Sequence, residues 1–225
     1  MPQISEAAVR EAVREILAQM QLTAPAASPA AASAATPSDG AGVRMTIRDL
    51  GPAKAGTSPT EVVVALAPAF GDKLKMKTIT GIPHAAVLRE ILAGIEEEGC
   101  TGRVVRFWHT SDVAFAGNAG AKLAGSGIAI GIQSRGTTVI HQRDLFPLQN
   151  LELFPQAPVI DLETYRSIGR NAARYAKGET PSPVKQKNDQ MARPKYQAIA
   201  AVFHIRETSF VDRAKKPVDV EVRFA

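Results

Sequence analysis

Apolar positions recur along the chain with two different periods, and the points where the period changes divide it into elements. Over residues 5–22, Val9, Val13, Ile16, Leu17 and Met20 fall three and four apart, while Glu6, Arg10, Glu11, Arg14 and Glu15 mostly take the other side. That spacing predicts a short amphipathic helix, with Ser5 able to cap it. So short a helix is marginal alone in water, and its apolar stripe needs a surface to bury against. From Thr23 to Gly42 the chain is built from small residues and proline, with Asp39 as its one charge. This predicts a linker, bounded as residues 23–44, with a coil reach of roughly 25 Å.

The pattern changes near Met45. Val62 to Leu66, between Pro59 and Pro68, reads as a buried strand, and Thr78 to Ile82 as a second, short one. Pro83 then opens a helix with Val87, Leu88, Ile91, Leu92 and Ile95 on one stripe, closed by Gly99. A strand over Arg103–Trp108, the polar turn Thr110-Ser111-Asp112 and a helix through Lys122 follow. Ile128–Ile132 and Thr137–Ile140 are two more strands about the turn Gln133–Gly136. Beyond a non-helical apolar segment, Leu145–Pro158, a helix starts at Asp161 and runs to about Lys177, with Gly178 placed to end it. The loop Asn188–Tyr196 leads into an apolar element around Ala198 to Ile205, and Val218, Val220, Val222 and Phe224 alternate as in a half-buried strand. There is no internal repeat. Strands alternating with helices predict an α/β, Rossmann-like domain over 45–225, a mostly parallel central sheet flanked by helices, with residues 1–22 as a flexible N-terminal amphipathic helix.

Composition removes several functions. The 225 residues are 45% hydrophobic and 22% charged, which suits one main core. The net charge of +5 is dispersed, and with aromatics at 5% no basic–aromatic platform for nucleic acid emerges. One cysteine, Cys100, excludes an intramolecular disulfide framework and a cysteine-rich zinc site; it reads as a small apolar residue in a reducing cytoplasm. Apolar runs such as Val62–Ala67 fall far short of the roughly 20 residues that span a bilayer, and the charges between Glu6 and Glu15 do not suit a secretory signal, so no membrane is expected.

No Walker-type phosphate loop, nucleophile elbow or His-Glu-x-x-His motif is present, and His84, His109, His141 and His204 are scattered, so no metal and no catalytic set is expected in this chain. Gly125-Ser126-Gly127 with Gly131 suggests a dinucleotide fingerprint, but these glycines lead into a strand rather than a helix; a tight turn or the close approach of another backbone fits them better. Ligands of parallel sheets bind beyond the carboxyl ends of the strands, where Thr110–Asp112 and Ser134–Thr137 are expected to lie. Asp112 there is either a ligand group or the cap of the next helix, and Arg135 either a phosphate contact or a solvated charge.

Several ordered blocks resemble the medium subunits of diol and glycerol dehydratases: Gly81–His84, Ser111-Asp112-Val113, Gly131–Ser134 with Gly136–Gln142, Asn150–Pro158, Ile168–Ala176 and Asn188–Tyr196. The likeness spans roughly residues 60 to 207. It implies a dimer of heterotrimers, with large and small subunits as partners, that turns 1,2-propanediol or glycerol into an aldehyde plus water by a radical route. Adenosylcobalamin, its own base still on cobalt, would lie between large and medium subunits. By position Asp112 and Val113 would meet the corrin, and Ser134, Arg135 and Thr137 the nucleotide loop and its phosphate. Asn150, Leu153, Pro155, Gln156, Arg193 and Tyr196 would complete that face. The family has lysine where this chain has Arg135, which keeps the charge and changes the geometry. The N-terminal helix resembles extensions that direct diol dehydratases to a bacterial microcompartment shell, which favours propanediol over glycerol and a cytoplasmic, microcompartment location. A dehydratase-reactivating factor is a further expected partner. The alternative readings are a small chaperone subunit of such a factor, against which Leu153–Gln156 and Asn188–Tyr196 weigh, and a glycerol dehydratase medium subunit.

Overall fold

In a computed structural model, described over residues 43–71 and 76–225, the chain forms a seven-stranded sheet flanked by helices. The expected helix over 5–22 and the linker to Gly42 lie outside the described residues. In chain order the elements are β1 (Met45–Pro52), β2 (Glu61–Leu66), α1 (His84–Glu97), β3 (Thr101–Arg106), α2 (Val113–Leu123), β4 (Ile128–Ile132), β5 (Thr138–Gln142), β6 (Glu152–Phe154), a 3-10 turn (Ala157–Val159), α3 (Leu162–Ala176), α4 (Ala192–Ser209) and β7 (Val218–Phe224). The strands lie in the order β1-β7-β3-β2-β4-β5-β6.

The α/β class is as expected, but the parallel part is confined to the centre. β2 pairs in parallel with β3 and β4, whereas β1–β7, β3–β7, β4–β5 and β5–β6 are antiparallel. "Mostly parallel" is therefore corrected to a parallel three-stranded core with antiparallel wings. The reason lies in connection length: Gln133–Thr137 is far too short for a crossover, so β5 must fold back on β4 as a hairpin. Thr78–Ile82 is not a strand; it closes on itself through the N–H of Thr78 to the carbonyl of Ile82 and that of Gly81 to Thr78. The apolar element around Ala198–Ile205 is the middle of the 18-residue helix α4.

β2 is buried at Val62 through Leu66 because both faces of the sheet are covered, which is why its sequence is a run rather than an alternation. Val62, Val64 and Leu66 share one core with Ile91, Ile95, Ile130 and Ile168 under α1 and α3; Val63 and Ala65 share another with Ala116, Ala121, Ala129 and Phe107 under α2. Cys100 is buried in the first of these. The two faces differ in residue size, and the small-residue face lets α2 sit close: a Cβ on Gly131 of β4 would come within 2.5 Å of the Val113 carbonyl. This is the close backbone approach expected of that glycine. Asp161 caps α3 by accepting the Thr164 N–H at 2.9 Å, and Gly99 and Gly178 end α1 and α3 at φ of +74° and +78°. Glu152 on β6, buried, accepts from Val184 N–H, Asn171 and the Tyr175 hydroxyl, tying the chain after α3 to the sheet.

α1 and α3 meet at backbone distance. A Cβ on Gly94 would lie 2.1 Å from the Arg166 carbonyl oxygen, and one on Gly169 2.2 Å from that of Ile91. Neither neighbour is a flexible side-chain end, so the helices would have to part. Gly169→Ala should lower stability by about 2 kcal/mol, read as a fall in the urea midpoint. A wild-type midpoint would mean that the two helices part at no cost, against the close crossing described.

Candidate functional site

The parallel strands β2, β3 and β4 end at one rim, which carries the loops Ala67–Gly71, Phe107–Asp112 and Gln133–Thr137. α4 lies against this rim, with Phe203 and Glu207, four apart on the helix, both buried. Phe203 packs on Ile79 and Ala157. The Glu207 carboxylate accepts the N–H groups of Ala69 at 2.7 Å and Ser134 at 2.8 Å, and also the Ser134 hydroxyl. Arg106, at the end of β3, donates from Nη1 to the carbonyls of Pro68 at 3.0 Å and Phe70 at 2.8 Å.

Asp112 is the N-cap of α2: one carboxylate oxygen accepts from Ala114 N–H at 2.8 Å and Phe115 N–H at 3.1 Å. The capping alternative is therefore realised, and the second carboxylate oxygen lies on an exposed residue. Val113, the first residue of α2, is buried. In the turn between β4 and β5, Gln133, Ser134 and Thr137 are buried while Arg135 keeps partial exposure. Arg135 is thus not a freely solvated charge. Its Nε donates to Gln133 Oε1 and Thr137 Oγ1, both at 2.9 Å, and among the described residues its guanidinium forms no ion pair. Burial draws its pKa down, and the charges of Glu207 and Asp112 oppose that shift.

The remaining expected residues divide. β6 runs antiparallel to β5 with Leu153 opposite Val139 and Phe154 opposite Thr138, so Pro155 and Gln156, two and three residues beyond Leu153, emerge toward Thr137 at the rim. Gln156 donates to Asn188 Oδ1 at 2.7 Å and accepts from Asp189 N–H at 3.1 Å, anchoring the chain that leads to α4. Tyr196, in the first turns of α4, packs with Ile79, Ala157 and Phe203, and Ile79 N–H reaches the Arg135 carbonyl at 3.1 Å. Arg193 is exposed on the same helix. Asn150 is not brought to this group: it precedes β6 on the side toward Gln142, on the order of 15 Å of extended chain from Pro155.

Sequence reasoning missed Glu207, Arg106 and His84. The one usable signal was an acidic residue four positions after Phe203, which would place both on one helical face. Among the described residues, no group of His, Cys, Asp or Glu is assembled to hold a metal ion, and no helix is long and apolar enough to cross a membrane.

A family model described as the dehydratase medium subunit matches residues 67–182, a stretch that contains Asp112 through Gln156. Among solved structures, a chain titled glycerol dehydratase reactivase is 19% identical, with a TM-score of 0.44 over 57% of this chain and 97% of its own. A diol dehydratase-reactivating factor complexed with ADP and Mg2+ is 24% identical, with a TM-score of 0.40 over 60% and 98%.

His84 supplies a pH readout of the rim. Its Nδ1 accepts the Gly71 N–H at 2.9 Å, so Nε2 carries the proton it donates to the Ser134 carbonyl at 2.7 Å, and the ring stacks on Phe70. Burial draws its pKa down to about 4, against the Ser134 carbonyl, with Arg106 adding to the fall. Because the unfolded imidazole takes up a proton first, the stability from neutral His84 is whole above about pH 6.5 and is lost as pH falls toward 4, on the order of 3 kcal/mol in all. Imidazole NMR should show His84 still neutral at pH 5; titration near pH 6.5 would contradict the burial described.

Proposed function

The chain belongs to the dehydratase medium subunit family, and from that premise we propose that it is the medium subunit of an adenosylcobalamin-dependent diol dehydratase. The complex, two each of large, medium and small subunits, converts 1,2-propanediol, and glycerol as well, to an aldehyde and water; this chain binds the lower face and nucleotide tail of the cofactor and is not catalytic alone. The observation that carries the reading is the family match over residues 67–182, supported by a cationic, half-buried Arg135 with no ion pair among the described residues.

The residues present fit the group. Arg135 has its Nε engaged internally, which leaves its outer nitrogens for a phosphate, a bidentate task suited to a guanidinium. Asp112 has a second oxygen for an amide donor, and Pro155, Gln156 and Tyr196 give an apolar and polar flank along the same rim. Ser134 and Thr137 have their hydroxyls turned to Glu207 and Arg135, so their part is to hold those groups. When bound, adenosylcobalamin supplies the cobalt–carbon homolysis that starts the radical rearrangement, while the protein binds, orients and shields. Residues 5–22, outside the described part, are assigned to docking on a microcompartment shell, which places the complex in the cytoplasm.

Co-expression with large and small subunits should yield a complex that makes propionaldehyde from 1,2-propanediol only with both adenosylcobalamin and this chain present. ATP-dependent rescue of inactivated enzyme in its place would assign the chain to a reactivating factor. Arg135→Ala should weaken cofactor binding to the complex by about ten-fold, with Arg135→Lys restoring part of it. Deleting residues 1–42 should leave turnover in the soluble complex intact and abolish shell association; lost turnover would rule out a tethered signal.

A further inference from the structure

The turn between β4 and β5 is held by three separate helices, at Ser134 and Gly136, the two residues that flank Arg135. From α4, Glu207 takes the Ser134 N–H and hydroxyl on Oε2 while Ala69 N–H fixes Oε1. From α1, His84 Nε2–H binds the Ser134 carbonyl at 2.7 Å. From α3, the Tyr165 hydroxyl binds the Gly136 carbonyl at 2.9 Å. All three side chains are buried.

A hairpin turn needs none of this, because its backbone groups are ordinarily satisfied by water, and three buried polar side chains cost desolvation unless each is paired. What the arrangement achieves is one fixed exit for Arg135, the side chain of Gln133–Thr137 that retains exposure. The acid nearest in effect is also used in an unusual way. Glu207 opposes the effect of burial on Arg135, yet both its oxygens are taken by backbone and Ser134 donors. It supports the cation without occupying its outer nitrogens.

We infer that Glu207, His84 and Tyr165 are positioning residues that hold Arg135 ready for an anionic phosphate diester of the ligand. The inference rests on the assignment of Arg135 to the cofactor's nucleotide loop. Glu207→Gln keeps the shape but offers one acceptor oxygen where two are in use, so the turn loses part of its hold.

The test is a double-mutant cycle on the assembled three-subunit complex, with equilibrium affinity for adenosylcobalamin read by spectral titration rather than by turnover. Glu207→Gln should weaken binding about ten-fold when Arg135 is present and leave it unchanged in the Arg135→Ala background. Equal losses in both backgrounds, or no loss at all, overturn the positioning role. Wild-type affinity in Arg135→Ala alone instead removes the phosphate assignment, and the inference goes with it; the two failures are thus separate readings. If Glu207→Gln does not assemble, Tyr165→Phe removes only the hydroxyl on Gly136 and should show a coupled loss of about three-fold, with an uncoupled or absent loss deciding against the proposal.

Discussion

Where a strand leaves the sheet its backbone N–H groups lose their ladder partners, and at the ends of β2 and β4 the carboxylate of Glu207 replaces them. Ala69 and Ser134 lie in the loops that follow β2 and β4, so one side chain joins the two parallel neighbours beyond their carboxyl ends and binds α4 to both. A buried acid in this position is tolerable because every contact is a donor, and removing it would leave the Ala69 and Ser134 donors facing a dry interface. Arg106 does the complementary work from β3, giving its protons to the carbonyls of Pro68 and Phe70. The rim is thus closed by one anion and one cation that bond to backbone and not to each other.

The placement of Asp112 depends on a different constraint, the close seat of α2. Ala129 and Gly131 on β4 and Gly117 and Gly120 on α2 remove the side chains that would otherwise separate helix from strand. With the Val113 carbonyl almost on Gly131, the capped end of α2 lies next to the turn that carries Arg135, and Gln133 bridges them through its amide to the Ser111 carbonyl. Packing on the small-residue face and the geometry of the candidate site are therefore the same fact seen from two sides.

What could be read from the sequence follows from these features. β2, β4, α3 and β7 were legible because their burial is uniform or regularly periodic, and Asp161, Gly99 and Gly178 mark helix ends by local chemistry. β1 was not, since the edge strand exposes Thr46, Arg48, Asp49 and Leu50 and has no clean alternation. α4 escaped for a related reason: it buries Ala192, Phe203 and Glu207 and exposes Ile199, Val202 and Ile205, so its apolar residues do not mark its inner face. Of the candidate site, resemblance reached Asp112, Arg135 and Gln156 as positions, but not Glu207 or His84, whose roles exist only once separate helices meet at one turn.

The same arrangement bears on how an anion would be recognised by a chain whose charges are dispersed. A net charge of +5 spread over the surface gives little local field at physiological salt, where screening acts over about 8 Å. Under the proposed function, recognition would fall to a cation held at low conformational freedom in a partly dry site, such as Arg135, where each contact is worth more than in water. A lysine at position 135 would meet that need as a point charge, with no Nε to be clamped by Gln133 and Thr137. An arginine there is fixed by the turn itself, so its outer nitrogens are oriented before any ligand arrives.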